Sequence, residues 1–251
     1  MPPWPPHARR SRWSRPVDRP SPLPCRGGDA GHDRGFRRHV PVATDAAPTE
    51  AASMIPMIHA LLLNFDGLLA DYDHPRHLRH LAQAAGCTPA VIDAQLRGTG
   101  LELAHARGEL DGDALLRALN TRLGTGLAAA DWLAARTRAS TLRRDTLALL
   151  QRLRPDVRVA VLTNNGALSA AAITALLPGI EVLCSATLGV RKPDPRIYLA
   201  AAERLGCAPA RTLFIDHLFR NVQGARSAGL HADTAHHTQS LRRVLRRWHL
   251  L

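Results

Sequence analysis

The 251-residue chain is 45% hydrophobic but only 4% aromatic, so it can bury one good core and a small accessory unit, built from Ala, Leu and Val, without demanding two full domains. Its formal charge of +12 rests on 33 basic residues, all arginine except Lys192, and their spread along the chain rather than beside aromatics argues against nucleic acid as a partner. Cys25, Cys87, Cys184 and Cys207 form no CxxC pair, which argues against structural zinc or a redox dithiol, and no stretch approaches the ~18 apolar residues of a membrane span; a reduced, cytoplasmic protein is expected.

Residues 1 to about 53 are rich in proline and arginine and lack apolar periodicity, so a disordered tail is expected. Its arginines are followed by no apolar run of a secretory signal. Two readings are open, a docking or targeting arm and a true translation start at Met54 or Met57. The second is favoured, because the first strand must begin just beyond. Ile58 to Phe65 reads as that strand, a buried apolar run closed by the turn Asp66-Gly67. Residues 74–138 are helical by pattern, with apolar residues three and four apart and glycines as punctuation at 86, 98, 108 and 124.

Beyond residue 139 the pattern alternates. A helix over 144–153 leads to the strand VRVAVLT, then come a helix over 169–177, a short strand near Val182, and the loop RKPDPRIY. A helix through Leu205, the strand RTLFID, a helix over 221–228 and a last helix over 240–248 complete the chain. Strands alternating with helices imply right-handed crossovers and a parallel sheet. The expected fold is α/β, with a core from 57–73 and 139–251, helices on both faces, and an all-helical insert at 74–138.

In such sheets chemistry sits beyond the carboxyl ends of the strands. Asn64 and Asp66 end the first strand, Thr163 the second and Asp216 the fourth, while Lys192 lies in the loop after the third. Each alone has a local explanation as a turn or helix cap. Together they aim acids, a hydroxyl and an ammonium at one crevice. In a chain that otherwise uses arginine, a single lysine there points to a need for a compact ammonium on a flexible stem rather than a planar fork.

These segments resemble the four motifs of the haloacid dehalogenase superfamily. NFDGLLAD is similar to the first, VLTNN to the second, RKPDPRIY to the lysine-bearing third, and FIDHLFRNVQGARSAG to the fourth. The resemblance spans about residues 57–235. It implies a Rossmann-like core, a helical cap inserted after the first motif, and magnesium-dependent hydrolysis of phosphomonoesters. Asp66 matches the general acid and base, Thr163, Asn164 and Lys192 the phosphate-holding groups, and Asp66 and Asp216 the metal site.

Two positions depart from the pattern. Asn64 stands where the resemblance calls for the nucleophilic aspartate, and a carboxamide is a poor nucleophile that forms no acyl phosphate. His217 stands where a second aspartate is usual, which lowers the expected affinity for magnesium; it either recruits a softer ion or is a partly exposed side chain without a metal role. The expected function is that of a degenerate phosphatase with little or no turnover that still binds a small phosphorylated or carboxylated molecule. Two alternatives are an active hydrolase in which Asp66 activates water directly, and a non-catalytic interaction protein that uses the last helix, where Leu241, Val244, Leu245 and Trp248 share one face. That face also suits docking onto the protein's own core.

Overall fold

The computed structural model describes residues 56–251; the readings of a disordered tail over 1–53 and of a start at Met54 lie outside the described residues. In chain order the elements begin with β1 (Ala60–Leu63), β2 (Ala70–Tyr72), α1 (His74–Ala85), α2 (Pro89–Asp93), a π-helical turn at Ala94–Gly98, α3 (Leu101–Arg107), α4 (Gly112–Leu123), α5 (Ala129–Arg138) and β3 (Ser140–Leu142). They continue with α6 (Arg144–Leu150), β4 (Arg158–Thr163), α7 (Ala167–Leu176), β5 (Glu181–Cys184), α8 (Ser185–Leu188), α9 (Pro195–Arg204), β6 (Thr212–Asp216), α10 (Phe219–Ser227), β7 (His231–Thr234) and α11 (Thr238–Arg247).

The main sheet has the order β5-β4-β1-β6-β7, with every pairing parallel. Strand β1 is apolar throughout, and β4 and β6 are apolar between their polar first and last residues, because both faces are covered. Successive side chains alternate between the faces. Leu61, Leu63, Val159, Val161, Leu213 and Ile215 pack with α6, α7 and α11 on one side. Ala60, Leu62, Ala160, Leu162 and Phe214 pack with α9 and α10 on the other. This is an α/β Rossmann-like fold. The inward face of α11 is consumed here, since Leu241, Val244 and Leu245 are buried in that first layer and Trp248 packs against it. Among the described residues no helix is long and apolar enough to cross a membrane.

The helices between β2 and β3 close around a core of their own, centred on Leu81, Ile92, Leu115, Leu119 and Trp132. Their ends follow local rules. Asp73 accepts a bond from the Arg76 amide at the start of α1, with Pro75 in the first turn, and Gly86 ends the helix in the left-handed region.

Two features go beyond the expected elements. A fifth parallel strand, β7, extends the sheet at the β6 edge. β2 and β3 pair antiparallel, Tyr72 opposite Ser140 and Ala70 opposite Leu142, so the chain's exit into the helical insert and its return are hydrogen-bonded to each other. Helix boundaries move slightly: the last helix runs over Thr238–Arg247 and the helix after β3 ends at Leu150.

Candidate functional site

β1 lies between β4 and β6, and the carboxyl ends of these three strands carry Asn64, Thr163 and Asp216. Register accounts for the convergence, because Leu63 pairs with Val161 and with Ile215. The chain then turns away from Asn64 in a tight loop in which Phe65 O accepts the amides of Leu69 and Ala70. Gly67 is required in that loop. Its φ is +80°, and a Cβ there would stand 2.7 Å from the His217 ring.

Lys192 is the hub. Its side chain is buried, and Nζ donates to Asn64 Oδ1 at 2.7 Å, to Leu162 O at 2.8 Å and to Asp216 Oδ2 at 3.0 Å. An ammonium has three hydrogens and no lone pair, so this donor set is spent. Burial pulls the ammonium below its ordinary range, and Asp216 pulls the other way. The Lys192 backbone is clamped as well, because Asn164 Oδ1 accepts its amide and Asn164 Nδ2 donates to its carbonyl, both at 2.9 Å.

Asp216 is fully enclosed, at 0% exposure. Oδ2 also accepts from Asn221 Nδ2 at 2.8 Å and Oδ1 from the Leu218 amide at 2.9 Å. His217 Nδ1 stands 3.3 Å from Asp216 Oδ1 and 3.3 Å from Asn64 Nδ2. Burial holds this imidazole below its ordinary pKa, with Lys192 adding to the effect and Asp216 opposing it. Asn64 Nδ2 donates to Asp66 O at 2.6 Å. Among the described residues no cluster of three or more His, Cys, Asp or Glu is arranged to hold a metal.

Asp66 is engaged from the insert. Arg136 on α5 donates to its Oδ1 at 2.7 Å, and Asn165 Nδ2 approaches its Oδ2 at 3.3 Å while also donating to Thr163 Oγ1 at 2.6 Å. Beside these groups a cleft of about 260 Å³ opens between insert and sheet, with Glu102, His105 and Trp132 on one wall and Asn165, Ser169 and Arg191 on the other. His105 Nε2 accepts the Leu168 amide at 3.3 Å and Trp132 Nε1 donates to Ser169 Oγ at 3.1 Å. The His105 ring sits where a Cβ on Gly166 would be 2.0 Å from it. Glu102 pairs with Arg97, and Arg107, which lies near Arg191, pairs with Glu109. Arg191 forms no ion pair among the described residues; burial, followed by repulsion from Arg107, lowers its pKa, and Glu102 opposes the shift.

The seven residues expected at the crevice are therefore linked: Lys192 joins Asn64 and Asp216, His217 stands against both, Asn164 holds the Lys192 backbone, and Asn165 joins Thr163 to Asp66. Sequence reasoning missed Arg136, Asn165 and Asn221. Arg136 left a faint trace, since it falls four residues after Trp132 and one after Ala135, in the buried stripe of α5.

A haloacid dehalogenase-like hydrolase family model matches residues 38–229, and the chain belongs to that family. Over 195 residues, 70% of this chain and 86% of the relative, it is 31% identical to phosphatase MT3486 of Mycobacterium tuberculosis. A shorter stretch of 51 residues, 20% of this chain and 22% of the relative, is 41% identical to a glyceraldehyde 3-phosphate phosphatase of Methanopyrus kandleri. Among solved structures, a predicted HAD-like family hydrolase from Porphyromonas gingivalis superposes with a TM-score of 0.62 at 23% identity, covering 76% of this chain and 99% of that one. A HAD family enzyme from Bacteroides thetaiotaomicron, in complex with magnesium and inorganic phosphate, has a TM-score of 0.59 at 21% identity over 70% of this chain and 93% of that one. These structures share the fold.

Proposed function

We propose that this chain is a phosphatase-type member of its family that has lost turnover and keeps a pocket for a small phosphorylated or carboxylated molecule. The observation that carries the reading is the polarity of the Asn64 amide. Lys192 must find an acceptor on residue 64, so the amide presents Oδ1 to the ammonium and turns Nδ2, a donor, toward Asp66 O. An aspartate would serve both directions, one oxygen on the lysine and the other free to attack or to bind a cation. The amide serves only the first. The missing negative charge removes the nucleophile, and loss of a nucleophile is worth on the order of a million-fold in turnover.

The same geometry argues against a strong magnesium site. Magnesium wants hard oxygen ligands with compensating charge. Here the Asp66 carbonyl faces an N–H donor, and each Asp216 oxygen already accepts from a nitrogen. These residues as arranged do not fit the ion, and no chemical step is assigned to it. His217, placed against Asn64 and Asp216, has a packing role in this reading. The route in which Asp66 activates water directly is disfavoured by the contact with Arg136.

The binding half of the proposal rests on the cleft. Arg191 is half-buried there with no ion pair among the described residues, Glu102 across the cleft attracting it only at longer range, and the cost of removing a guanidinium from water is offset when an anion docks against it. The test is a phosphomonoester panel with magnesium present, together with calorimetric titration of phenyl phosphate. Background-level hydrolysis with measurable binding that weakens at least tenfold in Arg191→Gln is the expected result. Ordinary turnover would refute the loss of catalysis, and binding insensitive to Arg191 would refute the pocket.

A further inference from the structure

Arg136 is the largest of the fully enclosed side chains, at 1% exposure. Its partners come from three elements. One terminal nitrogen donates to Asp66 Oδ1 at 2.7 Å and the other to Ser140 Oγ at 2.6 Å, while the guanidinium carbon lies 3.9 Å from the centre of the Tyr72 ring. Asp66 is the carboxylate that neutralises it; among the described residues no second acid pairs with it. A buried guanidinium stripped of its counter-ion is strongly destabilising, so the insert depends on Asp66 staying charged and in place.

From this geometry we infer that Arg136 is a positioning residue that makes Asp66 the anchor of a clamp between cap and sheet. The site then carries a second block on turnover, independent of Asn64. The inference rests on the reading of Asp66 as the family's proton carrier. A proton carrier must present an acidic hydrogen to the leaving oxygen and later take one from water. Here Oδ1 is held by the guanidinium and Oδ2 faces Asn165 Nδ2, so both oxygens point to fixed donors of the protein.

Three neutral contacts close the same seam. They are Trp132 Nε1 to Ser169 Oγ, the Leu168 amide to His105 Nε2, and Ser185 Oγ to Ala106 O at 2.6 Å. The Arg136 contact is the one that uses a crevice acid. A proton carrier and a structural counter-ion make different demands on residue 66. The first affects turnover and leaves the cap unmoved, whereas the second changes the cap whether or not any chemistry takes place.

Amide hydrogen exchange on the full chain separates the two. In Asp66→Asn, exchange over residues 129–142 should rise at least tenfold while β4 is unchanged. In Asp66→Asn/Arg136→Met, which removes both charges, exchange should fall between that variant and the wild type. Wild-type exchange in either variant overturns the clamp, and the double variant keeps the test alive if Asp66→Asn fails to fold. Asn64→Asp alone should stay silent on a phosphomonoester with magnesium. Full turnover from that single change, with Arg136 in place, would overturn the second block on turnover but leave the proposed function intact. Turnover by the wild type would sink the proposed function, and the exchange data would still decide on the clamp.

Discussion

Replacing His77 by glutamine should flatten the acid side of the stability profile. His77 is buried in the cap, with Nδ1 2.7 Å from the Tyr72 hydroxyl and its ring 5.1 Å from that of Trp132. Its Nε2 is buried without a hydrogen-bond partner, so a second ring proton would have nowhere to go. Burial first, and Arg136 next, push the imidazole from 6.5 down to about 3. The unfolded chain therefore takes up a proton as pH falls below 6.5, whereas the folded chain waits until about 3. Stability from this group is complete above 6.5 and is lost progressively as pH falls through that window. Each pH unit inside it is worth about 1.4 kcal/mol, so at ~pH 5 the cost is about 2 kcal/mol. That is a large share of a typical folding free energy of ~5–15 kcal/mol. Glutamine can still meet the Tyr72 hydroxyl and has no proton to gain. Urea unfolding followed by tryptophan fluorescence at ~pH 7.5 and ~pH 5 gives the comparison. The wild type should lose about 2 kcal/mol more than the variant, because the rest of the chain is the same in both proteins and cancels. Equal losses would show that His77 is not kept neutral by its surroundings.

Two further outcomes follow from the hub. Lys192→Met leaves Asp216 enclosed with no cation, and breaking a buried pair in this way costs about 3–5 kcal/mol; thermal unfolding should show a large drop in midpoint, partly recovered by Asp216→Asn in the same chain. Asn64→Asp returns an oxygen to the place where Nδ2 faces Asp66 O, so calorimetric titration should show at least tenfold tighter magnesium binding than in the wild type, and equal affinity would refute the account of the amide's polarity.

The crevice was legible wherever a buried apolar run meets a polar turn. Asn64, Thr163 and Asp216 each follow such a run, and parallel crossovers leave those ends on one edge of the sheet. Arg136 was not legible for the opposite reason. One arginine in a helix of an arginine-rich chain carries little information beyond its place in the buried stripe, and its burial depends on Asp66, 70 positions away in sequence. Asn165 looked like a turn residue, and its reach to both Thr163 and Asp66 depends on how β4 ends beside β1. Strand β7, with sequence HADT, is short and only partly buried because it has a neighbour on one side, so neither alternation nor a long apolar run marks it. The β2 and β3 segments are three residues each, and their pairing is set by the return of the chain from the helical insert rather than by local pattern.

That small ribbon governs how the protein can vary. Because Tyr72 and Ser140 are register partners, the stretch between them begins and ends at one place, like a pendant hung from a clasp. Lengthening or shortening it changes the closure entropy only logarithmically and leaves the five-stranded scaffold undisturbed. Changes of length in the insert's outer loops are thereby free to accumulate without breaking the pairing of the strands that carry it.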